Sequence, residues 1–177
     1  MIDIEIVRTR FIQTIAMATF EQIEQASVWY FEAHGVAQDV AKNLGCSIEH
    51  GASVVAAFSP RERWSSNVAK SYAFSLGQPV SGLTNNLRMA EAAAVGGFDT
   101  LNGQKTNAFA RAIAGDTQAV VIDVWMLRAA GLDASKGINK GDYDAMVTVT
   151  REVAARFGLT PRTAQALIWI IVRGNHA

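Results

Sequence analysis

The sequence predicts an all-α protein, and three observations lead to that fold class. Apolar residues recur at helical spacing through most of the 177 residues. Proline and glycine stand where such helices would begin and end. The one run with strand character, residues 119–123, is short and has no alternating partner strand nearby. We therefore predict helices along the chain, with residues 119–123 as a buried extended connection.

Two helices are predicted in the first quarter of the chain. Thr19 is the expected N-cap of a helix over FEQIEQASVWYFEA, and a second helix over residues 36–44 ends at Gly45. The first prediction rests on a set of residues at helical spacing: Phe20, Ile23, Ser27, Tyr30 and Phe31.

The stretch SPRERW has the features of a helix start. Ser59 is the expected N-cap, Pro60 the first helical residue and Glu62 the capping-box partner. We expect this helix to run to about Leu76, just before GQP.

The last third of the chain predicts two helices. Asp142 is the expected cap of YDAMVTVTREVAARF, which ends at Gly158. Thr160 and Pro161 begin the next helix, which stops at Gly174. Its expected packed face consists of Ala164, Leu167, Ile168, Ile171 and Val172.

Residues 83–131 contain several short elements in succession. The pattern predicts a helix, a hairpin turn at 98–103, a helix at about 104–114, a turn at 115–116, the apolar connection, and a short helix starting at Asp123.

Lys105 lies at the start of the helix that follows the hairpin turn. Ala108, Phe109 and Ala112 follow at helical spacing, so the lysine is predicted to head an apolar stripe. Burial of an ammonium group costs free energy and favours the neutral amine, which is a nucleophile. Asp123 follows eighteen residues later, where it could cap the next helix. Two simpler interpretations stay open: a lysine whose stem packs while its charge reaches water, and an aspartate that only caps a helix.

Composition narrows the classes of function. Lys and Arg equal Asp and Glu at 16 each, which argues against non-specific coating of nucleic acid, since that requires many neutralised phosphates. Cys46 is the only cysteine, so an intramolecular disulfide and a four-thiolate zinc or iron–sulfur site are excluded, and we expect it to pack as a small apolar side chain. His34, His50 and His176 do not cluster, so we predict no metal site and no cofactor.

The ends of the sequence bear on location. The apolar run ALIWIIV at 166–172 is shorter than the roughly 20 residues that span a bilayer. MIDIEIVRTR mixes acids and bases, which is not the pattern of a signal peptide. We expect a cytoplasmic protein without a membrane partner, and the oligomeric state stays open.

The central segment resembles the helix-hairpin-helix (HhH-GPD) DNA glycosylase superfamily, which includes endonuclease III, MutY and oxoguanine glycosylase. In the endonuclease III branch, a hairpin LPGxGRKTA is followed eighteen residues after its lysine by the aspartate of AVDTHVxRV. NGQKTNAF and AVVIDVWMLRAAG place Lys105, Thr106, Asp123 and Arg128 in that register. Upstream, GLTNNLRMAEAA is similar to GLYNxKAxNI, and AAFSPRERWSSN to LSxQTxxxxVN. The resemblance covers about residues 36–131 and extends to small phage and bacterial proteins with SPxxRWxxN, LxGxK and VxxDxW elements.

The resemblance implies a fold and a chemistry. Superfamily members rotate a nucleotide out of the duplex into a pocket. The resemblance implies that Lys105 is the nucleophile that attacks the sugar. It also implies that Asp123 stabilises the cationic sugar and assists proton transfer. The residues expected to contact nucleic acid are Asn102, Gly103, Thr106, Arg61 and Arg88. The residues expected to line the pocket are Trp64, Asn67 and Trp125.

The sequence departs from the family pattern at three places. Leu101 stands in the register of the first hairpin glycine, Trp125 replaces a usual histidine, and Arg61 replaces the glutamine that fills the gap left by the flipped base. An arginine at that position could fill the same gap or contact phosphate.

We therefore expect a single glycosylase-like unit with two lobes and a cleft between them. One lobe comprises about residues 36–117, and the other comprises about 1–35 with 118–177. The leading functional hypothesis is a DNA-binding protein with base-excision and lyase activity. The alternatives are a catalytically inactive phage-type module that binds DNA or protein, located in the host cytoplasm, and an enzyme of nucleobase hypermodification.

Overall fold

The computed structural model describes residues 2–174 and is helical, with no strand in that range. The all-α prediction is therefore confirmed. The α-helices are α1 (Ile4–Ala16), α2 (Phe20–Leu44), α3 (Ile48–Phe58), α4 (Trp64–Ser75), α5 (Thr84–Gly96), α6 (Gln104–Ala114), α7 (Val124–Ala129), α8 (Lys140–Arg156) and α9 (Pro161–Arg173). Short 3₁₀ helices occupy Gly97–Thr100 and Ala134–Lys136.

The chain forms two compact units. Unit 1 consists of Met1–Trp29 with Thr117–Ala177, and unit 2 consists of Tyr30–Asp116. The lobe boundaries predicted from the sequence were 35/36 and 117/118, whereas the unit boundaries lie at 29/30 and 116/117. Helix α2 is continuous across the first boundary.

Helix α3 forms the centre of unit 2. Residues 51–58 are all buried, and the helix packs against α5 and α6. Gly51 lies against α2, where an added Cβ would be 2.4 Å from the carbonyl oxygen of Ala37 and 2.7 Å from the Cβ of Ala41. The sequence analysis missed this helix because a helix buried on all sides has no polar face and hence no amphipathic period.

The core of unit 1 is built from α1, α7, α8 and α9. Helix α1 buries Val7, Phe11 and Ile15 and packs mainly against α8 and α9. The extended connection at residues 119–122 is buried, as predicted. The Tyr143 hydroxyl accepts a hydrogen bond from the backbone N–H of Ile122 (3.3 Å) and donates one to the carbonyl oxygen of Val120 (3.4 Å). These bonds satisfy part of a backbone that has no strand beside it.

Of the two caps predicted for the C-terminal helices, one is found in the structure and the other is not. Thr160 accepts a hydrogen bond from the backbone N–H of Thr163 and Pro161 is the first residue of α9, so that prediction is confirmed. The prediction that Asp142 caps α8 is wrong, because the helix begins two residues earlier and Asn139 accepts from the backbone N–H of Asp142. Asp142 instead accepts from the backbone N–H of Ile2 at 3.0 Å. Lys140, Gly141 and Asp142 therefore belong to the first turn of α8.

The predicted face of α9 is confirmed in its first part. Within that face, Ala164, Leu167 and Ile168 are buried. Ile171 and Val172, near the end of the helix, are half-buried.

The two helices predicted in the first quarter are one helix of 25 residues. Thr19 and Gln22 cap its start reciprocally, and Gly45 lies just beyond its end with φ +66°. Gly35 does not interrupt it, since an internal glycine costs a helix only about 1 kcal/mol. Of the residues used to predict the helix, Phe20 and Phe31 are 82% and 76% exposed. The buried positions of α2 are mainly small: Ala26, Tyr30, Ala33, Ala37, Val40 and Ala41.

The predicted start of the helix after SPRERW is wrong. Ser59 ends α3, where its N–H donates to the carbonyl oxygen of Ala56, and α4 begins only at Trp64. The apolar run GASVVAAF carries α3 up to Phe58, so Ser59 and Pro60 follow a helix end instead of opening a new helix. The predicted end near Leu76 is confirmed, since Leu76 is the C-cap of α4.

Candidate nucleic-acid-binding site

Helices α5 and α6 are joined by a short ordered turn in unit 2. The chain leaves α5 through Gly97 with φ +57°, forms the 3₁₀ turn to Thr100, and enters α6 after Gly103. The Asn107 side chain donates to the carbonyl oxygen of Phe98 at 2.9 Å, and the N–H of Phe98 donates to Glu49 Oε1 at 3.3 Å. The predicted boundaries of the turn and of α6 are therefore confirmed.

The start of α6 faces solvent. Asn102, Gly103 and Lys105 are exposed, and Thr106 is half-buried. Gly103 is the N-cap with φ −87°, and as a glycine it has no side chain to accept a hydrogen bond from the first turn. A Cβ added at Gly103 would meet only Thr106 Oγ1, at 3.6 Å, so neither the backbone angle nor the available space requires a glycine. A glycine at such a position leaves the backbone N–H groups of the first turn open to the approach of an anion.

Lys105 is exposed, so the prediction that it heads a buried stripe is wrong. Ala112, on the same side of α6, is buried, and Ala108 and Phe109 are half-buried. Lys105 lies about two turns before Ala112, at the end of the helix that extends beyond the packed part. The expected desolvation of its amine is therefore absent within unit 2.

Asp123 caps α7, as predicted. Its Oδ1 accepts from the backbone N–H groups of Trp125 (2.9 Å) and Met126 (3.0 Å), and the residue is half-buried at the end of the buried connection. Such a cap satisfies backbone N–H groups at the start of a helix, where a negative charge is favourable. Lys105 belongs to unit 2 and Asp123 to unit 1. Their convergence on one substrate stays a prediction.

Arg61 occupies a tight turn between α3 and α4. The N–H of Glu62 donates to the carbonyl oxygen of Ser59, Pro60 is the second residue of the turn, and Arg61 is the third with φ +62°. This is the arrangement of a type II turn, in which glycine is preferred at the third position. Among the described residues, Arg61 is the sole non-glycine residue with positive φ, and it is exposed.

The turn that bears Arg61 is fixed to the start of α5. The buried Asn86 side chain donates to the carbonyl oxygen of Pro60 at 3.0 Å. Arg88, two residues further along α5, is exposed. The two arginines predicted to contact nucleic acid thus lie on elements joined by a direct hydrogen bond.

A cavity of about 150 Å³ lies beside the Arg61 turn. Lys70 forms an ion pair with Glu62 in its wall, and both side chains are less than 20% exposed. Glu62 Oε2 also accepts from Ser66 Oγ at 2.9 Å. These hydrogen bonds lower the pKa of Glu62, and the bond from Lys70 has the largest effect. A Cβ at Gly82, where φ is +136°, would lie 2.7 Å from Lys70 Nζ.

The sequence analysis did not identify Lys70 or Asn86. Glu62 precedes α4 and Lys70 lies within it, so the pair follows no spacing that a helix would impose. The hydrogen bond from Asn86 joins residues 26 positions apart.

The three predicted pocket residues have different environments. Trp64 contacts Phe109 edge to face, with ring centroids 6.5 Å apart. Asn67 is 2% exposed and its Oδ1 accepts from Ser71 Oγ at 3.1 Å, so its side chain is engaged within α4. Trp125, in unit 1, has the Arg128 guanidinium over its ring at 4.4 Å from the centroid.

His34 and His50 each lie within hydrogen-bond distance of an oxygen atom, and Cys46 is a free cysteine. His34 Nδ1 lies 2.7 Å from the carbonyl oxygen of Ile113, and His50 Nδ1 lies 2.7 Å from Ser47 Oγ. Cys46 is half-buried, and burial raises the pKa of its thiol. Within residues 2–174 there is no group of three or more His, Cys, Asp and Glu side chains that could hold a metal ion. His176 lies outside the described residues.

The fold and these elements define an all-α protein in which the turn between α5 and α6 ends in two exposed residues, Asn102 and Gly103. The chain belongs to a family of unknown function, DUF7178, whose model matches residues 3–176. No curated protein and no solved structure matches the chain. In the part of the chain that the structure describes, no helix combines the length and apolar character required to cross a membrane.

Proposed function

We propose that the protein binds DNA through a helix-hairpin-helix DNA-glycosylase-like fold of two lobes and acts on a nucleobase through Lys105 and Asp123. The observation that carries the proposal is the start of α6. There an exposed lysine follows an extended glycine at the N-cap position, in the register of the glycosylase hairpin. Asp123, eighteen residues later, caps α7 in the same register.

The chemistry assigns a role to each group. The first turn of α6, with Asn102, Gly103 and Thr106, would hold a phosphate without reading sequence. The Lys105 amine would bond to the sugar carbon that carries the base, and the bond from that carbon to the base would break, with its electron pair and a proton leaving on the base. The sugar ring would then open at the same carbon, which leaves a Schiff base to Lys105. Asp123 would stabilise the positive charge that develops on the sugar and accept the amine proton.

Borohydride trapping on duplexes that contain an abasic site or a modified base tests the lyase step. We expect a covalent adduct with the native protein and none with Lys105→Ala, because protein and DNA are joined only when borohydride reduces a Schiff base that contains the lysine amine. Lys140→Ala is the matched control, since Lys140 is also an exposed lysine in the first turn of a helix. It should trap as well as the native chain.

Two results would reject the lyase role. One is an adduct that persists in Lys105→Ala at the native yield. The other is the absence of any adduct with the native protein across abasic, oxidised, alkylated and deaminated substrates.

The exposure of Lys105 favours a second candidate, a module that binds DNA without catalysis. An exposed amine is not enclosed in an apolar pocket of the kind that activates lysine nucleophiles. Arg61 and Arg88 are exposed and lie on joined elements, which suits contact with a nucleic-acid backbone.

Charge reversal at the two arginines tests this mode of binding, and Lys105→Ala separates binding from catalysis. We expect Arg61→Glu and Arg88→Glu each to weaken DNA binding and to reduce the slope of log affinity against log salt by about 1. Lys105→Ala should leave affinity unchanged, and Arg156→Glu, an exposed arginine on α8, is the control. Fluorescence anisotropy with labelled duplexes at several salt concentrations gives both quantities. Equal slopes for all variants would exclude contact through these arginines.

A further inference from the structure

The junction of α1 and α2 in unit 1 exposes large apolar side chains. Met17 is 80% exposed, Phe20 is 82% exposed and Ile23 is 38% exposed. Single apolar residues at a surface are ordinary, whereas a cluster of adjacent ones indicates an interaction site.

These side chains stand on a rigid support. The backbone N–H of Thr19 donates to Gln22 Oε1 at 2.9 Å, and the N–H of Gln22 donates to Thr19 Oγ1 at 3.2 Å. This reciprocal cap fixes the first turn of α2. Phe20, Ile23 and Ser27 then share one side of the helix, while Ala26 is buried. A partner would therefore meet a preformed face and would lose little conformational entropy in ordering it.

The charged residues that flank these apolar side chains in α2 are acidic. Glu21 and Glu24 are exposed next to the apolar side chains. Residues 11–41 contain four acidic residues and no lysine or arginine. Nucleic acid would be repelled here, and a second copy would set glutamates against glutamates. The complementary surface is an apolar stripe flanked by lysine or arginine.

We propose that this face is a docking surface for a basic amphipathic helix of a partner protein. We call it the acidic apolar surface, and it consists of Met17, Phe20, Glu21, Ile23 and Glu24. Apolar side chains of the partner would cover Phe20 and Met17, and its lysines or arginines would pair with the two glutamates. In this mode of recognition the apolar anchors give affinity and the charges give specificity. The site is independent of the Lys105 and Arg61 regions.

The test uses the full chain and two labelled synthetic peptides. One peptide has leucine at helical spacing with lysine on the flanking positions, and the other has glutamate in place of lysine. We expect the lysine peptide to bind at least tenfold more tightly in fluorescence anisotropy. Phe20→Ser should weaken the binding of the lysine peptide at least fivefold. At low salt, Glu24→Lys should weaken it by a larger factor than Phe20→Ser does. Val95→Ser is the matched control, because Val95 is an 84% exposed apolar residue in unit 2.

Three outcomes would overturn the proposal. The first is equal affinity for the two peptides. The second is an equal effect of Phe20→Ser and Val95→Ser. The third is a dimer in sedimentation velocity that Phe20→Ser converts to monomer, which would identify a second copy as the occupant.

Discussion

Glu62 links the turn of Arg61 to helix α4 through its hydrogen bonds from Lys70 and Ser66. Its folded pKa lies below the ordinary value of 4.5. A lowered carboxylate pKa stabilises the fold above the ordinary value, and this contribution is lost as pH falls through the lowered pKa. The turn is therefore sensitive to acid.

We expect the free energy of unfolding to fall as the pH drops below 4.5, and to fall less steeply in Glu62→Gln. The glutamine keeps the shape of the side chain but cannot titrate. Urea denaturation followed by circular dichroism at a series of pH values measures the slope. Identical pH dependence in the two proteins would show that the pair contributes nothing to stability.

Arg61 carries a conformational cost that no sequence pattern revealed. A left-handed backbone costs a residue with a side chain about 1 kcal/mol or more relative to glycine. Pro60 before it predicted a helix start, but the same proline also suits the second position of a turn. The two interpretations differ only in where the preceding helix ends, and that depends on packing of α3.

At the scale of elements, the contact of α2 with α3 depends on a missing side chain. An added methyl group at Gly51 would lie 2.4 Å from the carbonyl oxygen of Ala37, which is backbone and cannot rotate away. Gly35, within α2, has no neighbouring atom within 4 Å of the added position. The two glycines therefore form a matched pair for mutation.

We expect Gly51→Ala to destabilise the protein by about 1–3 kcal/mol or more, since overpacking forces helices apart. Gly35→Ala should stabilise it by about 0.5–1 kcal/mol, because alanine is the better helix former. Chemical denaturation of both variants provides the measurement. Stabilisation by Gly51→Ala would mean that the two helices are not in close contact.

Some helix boundaries could be predicted from the sequence and others could not. Thr160 with Pro161, Gly103 before α6 and Asp123 before α7 lie at helix boundaries where the sequence places them, because capping is local chemistry. Helix α1 had a readable signal, with Asp3 as cap and Val7, Phe11 and Ile15 at helical spacing, and was overlooked. Helix α3 had none, since its residues 51–58 are all buried.

At the scale of the whole molecule, the sequence predicted the all-α class but not the environment of the candidate catalytic lysine. Helical periodicity predicts which residues share a side of a helix. It does not predict how far along that helix the packed core extends. Lys105 lies beyond that extent. Residue spacing likewise cannot bring Lys105 and Asp123 together, because that requires the arrangement of two units.

The formal net charge of zero limits how DNA could be bound. A neutral protein has no overall field to attract phosphate, so affinity must come from a few local cations. This is why the charge reversals at Arg61 and Arg88 are expected to have large effects on salt dependence, while Arg156→Glu is not.

The order of the units along the chain has a consequence for biosynthesis. Unit 2 is a continuous segment, Tyr30–Asp116, whereas unit 1 is made from segments on both sides of it. Because a ribosome delivers the chain from its N-terminus, unit 2 can complete its core while the second segment of unit 1 is still being translated. Helix α1 buries Phe11 and Ile15 mainly against α8 and α9, so these side chains stay uncovered until the last helices have been synthesised.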